Sequence, residues 1–426
     1  MNKYLVDIDK LTGQTGLADR VLQGTVVVLR QGLQQLGLFD QLVTAGVEGI
    51  RASLGEDVAR RVQAAGFERI HEFVDPADIP GMTDVVYGYF RTLAPQFLDA
   101  FVPRVFPGER PYYFEHSPNV RFHIPYDIAE PHRKQYDKFA KTHGQGKIAP
   151  HGPHRDSWLD CPDNAINLWV AVGPVVPGNG LSIFADDRDA QFAFRPNGEI
   201  AEGARMHPPL NFDLKPGDVL IFHSDALHAS ELNRTDTTRF AVSFRVTFGK
   251  PHFPRGHYHS YDHAGLARGP WRSLAKVPAN LQWSYFAYRL QWLKNKLTGG
   301  PRATESPAAG KNGNKATGEP DRFIVPLAEL PRGTIRPVSS GVLVARLDDD
   351  RVVALSRRCP HKGADLVEGF VCGGDIVCPW HNVRFDPDTG ASACQALVPL
   401  RRFQCEVKDG AVHVSKVAES AKTVDA

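Results

Sequence analysis

The chain has 426 residues, 42% of them hydrophobic and 10% aromatic, which is ample for two or three packed domains. A formal net charge of +2 argues against nucleic acid or an anionic membrane as partner. The first ten residues lack the apolar run of a signal peptide, and no stretch is apolar over the length of a bilayer span, so a cytoplasmic protein is expected.

The opening third reads as helical, with one strand at 24–30 built on Val26-Val27-Val28-Leu29. From about Tyr112 the pattern turns to strands, expected at 119–123, 165–172, 181–184, 218–222 and 239–248. Turn signals at Pro177-Gly178-Asn179-Gly180 and Lys215-Pro216-Gly217-Asp218 separate them. Short strands punctuated this way predict an antiparallel sandwich or barrel with flanking helices. Phe286, Leu290, Leu293 and Leu297 recur at helical spacing and close a first domain spanning 1–297. Residues 298–321 contain no aromatic, Val, Ile, Leu or Met; they predict a flexible linker with an r.m.s. span of roughly 25–30 Å. A second, strand-rich domain follows at 322–416, then a short tail at 417–426.

Two groups of residues carry chemistry. In the first domain, His154-Arg155-Asp156 is followed 72 residues after Asp156 by His228. An H-x-D pair on a strand puts both side chains on one side, and a distant His completes a facial triad that leaves positions open on a non-haem iron. His223 rivals His228 and His151 rivals His154, but neither has the flanking residues that complete the pattern. Arg239 lies eleven residues beyond His228, and a guanidinium grips a carboxylate through two parallel hydrogen bonds. Taken singly, His154 reads as a surface histidine and His228 as a core one; the combination carries the signal.

In the second domain, Cys359-Pro360-His361 and Cys378-Pro379-Trp380-His381 are separated by sixteen residues. Two thiolates on one iron and two imidazoles on the other suit a [2Fe–2S] cluster and raise its potential above that of an all-Cys cluster. A structural zinc site is the alternative for the same four side chains. Cys161, Cys372, Cys394 and Cys405 remain, and buried thiols are the default expectation for them.

The C-x-H…C-x-x-H segment resembles the Rieske ferredoxin domain from about Asp321 to Ser415. Ala364 and Trp380 stand where high-potential members carry a disulfide, and Val383 and Phe385 stand where those members place hydroxyls near the cluster, so the likeness is to the ferredoxin of an oxygenase system. Over about 110–250 the first domain resembles the Fe(II)/2-oxoglutarate oxygenases of the phytanoyl-CoA dioxygenase family. That resemblance implies a double-stranded β-helix (jelly-roll) with Fe(II) on His154, Asp156 and His228. It also implies 2-oxoglutarate on Arg239, helped by Ser230 and lined by Trp169. Asp156 favours hydroxylation over halogenation, because halogenases of this superfamily replace the carboxylate with a small residue.

Period-two alternation puts Arg239, Ala241, Ser243 and Arg245 on one strand face. An inward Arg245 implies either an anionic group on a small-molecule substrate or a buried salt bridge. Arg121 and His123 share a face and are further substrate candidates, with a structural role the simpler reading. His252, His257, His259 and His263 read as a polar surface loop rather than a metal tract. A 2-oxoglutarate oxygenase formally needs no outside electrons. The expected role of the tethered cluster is therefore to return the iron to Fe(II), with a separate ferredoxin reductase as donor. The alternatives are turnover driven directly by the cluster without 2-oxoglutarate, and a non-catalytic redox sensor or electron carrier. The linker permits electron delivery between subunits of an oligomer.

Overall fold

The computed structural model describes residues 5–10, 15–109, 111–143, 151–159, 161–194, 198–201, 203–254, 260–264, 322–361, 363–379, 383–392 and 397–418. The helix expected at 286–297, the linker at 298–321 and nearly all of the tail lie outside them.

The first sheet is built around β-branched runs. Its strands are β1 (Leu5–Ile8), β2 (Val26–Leu29), β3 (Tyr112–Glu115), β4 (Asn119–His123), β5 (Ala165–Ala171), β8 (Val219–His223), β10 (Arg239–Phe248) and β11 (Tyr261–His263). They are ordered β1-β2-β8-β5-β10-β3-β11, with β4 also pairing on β10. β1 and β2 are parallel and the other pairings are antiparallel. The sequence signal for β1 was too short to be expected. A smaller sheet, β7-β6-β9, consists of β6 (Leu181–Ile183), β7 (Leu210–Asn211) and β9 (His228–Ser230). Trp169, Leu220 and Phe222 of the large sheet pack with Leu181, Ile183 and Phe212 across the gap, the arrangement of a jelly-roll.

Helices cover the outer face of the large sheet: α1 (Leu17–Leu22), α2 (Gly32–Gln35), α3 (Phe39–Leu54), α4 (Glu56–Ala65) and the long α5 (Ile79–Val105). Phe240, Val242, Phe244 and Val246 of β10 face this layer, and Phe97 of α5 stacks on Phe244 with ring centroids 4.7 Å apart. The alternate residues Arg239, Ala241, Ser243 and Arg245 therefore face the interior between the sheets. The Lys215–Asp218 turn requires glycine at its third position, where Gly217 has φ of +91°. Asp218 closes this turn by accepting from the Lys215 N–H, and it also accepts from Arg30 at 3.0 Å. Two short helices, α6 (Tyr126–Ala129) and α7 (Arg133–His143), follow β4.

The second domain is a curled antiparallel sheet, ordered β12-β20-β19-β15-β14-β13, with a three-stranded sheet beside it. Its strands are β12 (Arg322–Pro326), β13 (Thr334–Pro337), β14 (Val342–Arg346), β15 (Val352–Ser356), β16 (Phe370–Cys372), β17 (Asp375–Val377), β18 (Arg384–Phe385), β19 (Arg402–Lys408) and β20 (Ala411–Ala418). Cys359 leaves the end of β15 and Cys378 the end of β17. Of the four remaining cysteines, Cys161 is buried as expected, Cys405 is only partly buried and Cys372 is exposed, while Cys394 lies outside the described residues.

Candidate functional site

His154, Asp156 and His228 come together with one ligand atom from each within 4.8 Å of the others, and all three are buried. It is the single such group found among the described residues. The local route differs from the expected strand. His154 makes an isolated antiparallel bridge to His228, while Asp156 opens a 3-10 turn that runs to Leu159. The reason is that the Asp156 N–H is taken by the Ser224 carbonyl at 3.1 Å and the Trp158 N–H by Arg155 at 3.0 Å, which turns the chain away from the ladder. The two side chains converge through this turn rather than through strand alternation.

Each imidazole is set to offer Nε2. Nδ1–H of His154 donates to the Gly152 carbonyl at 2.7 Å and that of His228 to Ala226 at 2.8 Å. The two Nε2 atoms lie 3.7 and 3.8 Å from Asp156 Oδ1. Burial, with His154 alongside, lowers the His228 pKa to about 4 and keeps that ring neutral, as a ligand must be. Burial alone would raise the Asp156 pKa, but the Arg245 guanidinium, with His154 and His228, holds it well below the usual carboxylate range. The donor set, two imidazoles and one carboxylate on one side, fits a mononuclear iron with open positions.

Arg245 does face inward, but its partners are protein carboxylates. Its Nε donates to Asp156 Oδ2 at 2.9 Å, Nη2 to Oδ1 at 3.2 Å and Nη1 to Glu115 at 2.8 Å. The structure favours the buried ion-pair alternative over a substrate anion there, because all three guanidinium nitrogens already donate to protein carboxylates. Asn167 donates to Asp156 Oδ2 at 2.9 Å as well. Asn167 and Glu115 were missed in the sequence, although Asn167 shares the inward face of β5 with Trp169 at a spacing of two.

Arg239 is buried at 1% exposure. Nη1 donates to the carbonyls of Asn179 and Gly180, both at 2.9 Å, and Nη2 to His123 Nδ1 at 3.0 Å. Nε has no partner. Of five N–H groups, two are thus unspent. Burial, with Arg121 nearby, lowers its pKa to about 9, opposed by Glu231. The Trp169 ring lies 5.6 Å from the guanidinium. A guanidinium with an unspent Nε–H can accept a carboxylate as partner. His123 accepts from Arg239, and burial with the two arginines keeps it neutral, far below its ordinary pKa. Burial also lowers the pKa of Arg121; the ionisable groups acting on it are Tyr87 and Arg245, neither of them an anion at neutral pH. Ser230 lies two residues past His228, opposite Leu181.

The rivals fall away. His223 is held by the Asp163 carbonyl at 2.7 Å, outside the group, and the His151 ring lies tilted beside that of His154, centroids 4.7 Å apart, without joining the group. His252 pairs with Asp163 and His263 packs on Tyr113, whereas His257 and His259 lie outside the described residues.

In the second domain Cys359 and Cys378 are 2% and 1% exposed. Each sits in a loop closed by its own backbone: Gly363 N–H donates to Cys359 O at 2.8 Å, and Cys378 N–H to Val383 O at 2.8 Å. The first loop is braced by Asp365, which accepts from Arg357 Nε at 2.8 and 2.9 Å and from the Val367 N–H at 3.2 Å. Two buried thiols on two braced loops, with His361 on the first, fit a cluster held between loops; His381 lies outside the described residues. The His361 ring meets the Tyr126 ring edge to face, with centroids 5.3 Å apart.

Two family models match the chain: phytanoyl-CoA dioxygenase over residues 124–241 and the Rieske [2Fe-2S] domain over 323–404. Among curated relatives, apoptosis-inducing factor 3 of Homo sapiens is 36% identical over 90 residues, covering 20% of this chain and 15% of that protein. Ferredoxin CarAc of Metapseudomonas resinovorans is 36% identical over 92 residues, covering 21% of this chain and 86% of the ferredoxin. Methylxanthine N1-demethylase NdmA of Pseudomonas putida is 32% identical over 92 residues, covering 19% of this chain and 25% of the enzyme. Among solved structures, a complex of reduced oxygenase and oxidized ferredoxin in carbazole 1,9a-dioxygenase matches at 31% identity and a TM-score of 0.22, covering 24% of this chain and 97% of that one. No helix among the described residues is long and apolar enough to cross a membrane. The two matched segments fit an oxygenase with a Rieske electron carrier: one polypeptide carries a phytanoyl-CoA dioxygenase domain followed by a Rieske [2Fe-2S] domain.

Proposed function

We propose that the chain is an Fe(II)- and 2-oxoglutarate-dependent dioxygenase that oxidises a C–H bond of a small anionic substrate, with its Rieske cluster supplying electrons that keep the iron ferrous. Iron with 2-oxoglutarate, when bound, supplies the activation of O₂. His154, Asp156 and His228 hold the metal from one side, and the Gly152 and Ala226 carbonyls fix the ring tautomers. Arg245 and Asn167 orient the Asp156 carboxylate. The observation that carries the reading is Arg239, whose unspent Nε–H sits on the same inward strand face as the group that braces the metal ligand. It takes the distal carboxylate of 2-oxoglutarate, with Trp169 as a wall and Ser230 beside it. Arg121, on the neighbouring strand and with no carboxylate among the described residues acting on it, receives an anionic group of the substrate. Cys359, His361, Cys378 and His381 hold the cluster, which a separate reductase loads.

The test is stoichiometry. With iron, 2-oxoglutarate, O₂ and a panel of small carboxylates, succinate should form one for one with oxidised product. A ratio far below one favours turnover driven by the cluster alone. No O₂ consumption with any substrate favours a non-catalytic carrier.

A further inference from the structure

Electrons can leave a tethered Rieske domain toward its own oxygenase domain or toward a neighbouring copy. The buried core around Cys359, Ala364 and Leu366 does not end at the domain's own residues: it takes in Tyr126 and Leu232 of the oxygenase domain, at 3% and 2% exposure. The Tyr126 ring stands at 82° to that of His361. A second contact lies away from it, where the Gly203 N–H donates to Glu368 at 2.6 Å.

The oxygenase side of this contact leads inward. Tyr126 N–H donates to the Asn233 carbonyl at 2.8 Å. Asn233 is fixed in turn by donating to the carbonyls of His123 and Thr237, at 2.7 and 2.8 Å. Leu232 and Asn233 lie four and five residues past His228 on the same run of chain. A packed path of ring contact, one hydrogen bond and continuous backbone therefore joins His361 to His228. Tyr126 and Leu232 are buried, so water is kept from the oxygenase side of the contact, which reduces the reorganisation that accompanies charge movement.

We propose that electrons pass from the cluster to the iron within one chain, entering the oxygenase domain through Tyr126 and Leu232. The inference rests on the reading of the cluster as the source of electrons for the iron. The step moves one electron: the reduced cluster, loaded by an external one-electron reductant, is oxidised by one unit, and Fe(III) becomes Fe(II). No bond to substrate forms or breaks. Tyr126 acts as packed medium and not as a radical relay. Its hydroxyl is held between Arg133 Nη2 at 2.5 Å and the Glu130 carboxylate, with which Arg133 also pairs. Tyr126 and Leu232 are positioning residues.

The experiment uses the full chain loaded with both metals, the iron oxidised and the cluster reduced by dithionite under anaerobic conditions. Loss of the reduced-cluster EPR signal against loss of the ferric signal gives the transfer rate. Neither 2-oxoglutarate nor substrate is present, so failure here leaves the dioxygenase reading standing, and absence of succinate in the earlier assay leaves this one standing. The expected result is a first-order rate that does not change with protein concentration. Tyr126→Ala should slow it by about tenfold, as a void in a close-packed path would, with cluster content and potential unchanged. Tyr126→Phe should retain the rate. A rate that rises with protein concentration overturns the proposal, even if no variant folds. So does transfer at the full rate in a mixture of Cys359→Ser and Asp156→Ala chains, because that electron has crossed between chains.

Discussion

Replacing Arg245 by methionine separates two effects that the structure ties together. Arg245 compensates two buried carboxylates, Glu115 at 2.8 Å and Asp156 at 2.9 Å, with all three side chains at 9% exposure or less. Removing one partner of such a pair leaves uncompensated charge and costs about 3–5 kcal/mol. An iron held by Asp156 would lie one hydrogen bond and one metal–ligand bond from the guanidinium, on the order of 5 Å. With an effective dielectric constant of about 20, a unit charge at that distance is worth about 3 kcal/mol. In potential this is about 130 mV. A positive charge there favours Fe(II), so Arg245→Met should lower the Fe(III)/Fe(II) midpoint by about that amount. The double variant Arg245→Met/Glu115→Gln removes the stranded carboxylate. It should recover most of the stability and, because a negative charge farther from the metal is lost as well, reverse part of the fall in midpoint. Thermal unfolding and a mediated redox titration followed by EPR of the ferric signal read the two effects separately. An unchanged midpoint in Arg245→Met, or a double variant as unstable as the single one, would refute the reasoning.

Other expectations follow from the same geometry. Arg121→Met should raise KM for an anionic substrate by about 10- to 100-fold, the worth of a charge-assisted hydrogen bond, and leave that for 2-oxoglutarate nearly unchanged; steady-state kinetics with each varied in turn checks this. His123→Phe removes the acceptor that fixes Arg239 Nη2 and should weaken anaerobic 2-oxoglutarate binding by about tenfold, read by titrating the visible absorption of the iron complex. Asp365→Ala should cost the Rieske domain about 1.5–3 kcal/mol by releasing Arg357 and the Val367 N–H. The Asp365 pKa is held down: burial would raise it, but the Arg357 hydrogen bond prevails. Its contribution is therefore complete above the unfolded carboxylate value of about 3.9 and lost as pH falls through the lower folded value. Cluster absorbance followed through an acid titration should show Asp365→Ala losing the cluster at higher pH than the unaltered chain.

The chemistry-bearing motifs were legible because their spacing is local. The paired Cys-Pro-His and Cys-Pro-Trp-His runs announce themselves, and strict alternation along β10 put Arg239 and Arg245 on the inward face. Alternation names a face and not its occupant, however. What Arg245 meets is Glu115, distant in sequence, and nothing near either residue signals the other. The turn at Asp156 was hidden for a similar reason, since the Ser224 carbonyl that captures its N–H belongs to another strand's end. Tyr126 and Leu232 look like any apolar core residues; their meeting with His361 depends on how two domains pack, which no pattern within either one encodes.

The parallel pairing of β1 with β2 has a practical consequence. β2 separates β8 from solvent, and β1 in turn completes the backbone hydrogen bonding of β2. The barrel's outermost edge is thus supplied by the chain's opening segment. Trimming it, or fusing a bulky tag against it, would bare the unpaired amides of the apolar run Val26–Leu29 and invite strand-to-strand aggregation. Loss of solubility after such a change would then say nothing about the metal centres.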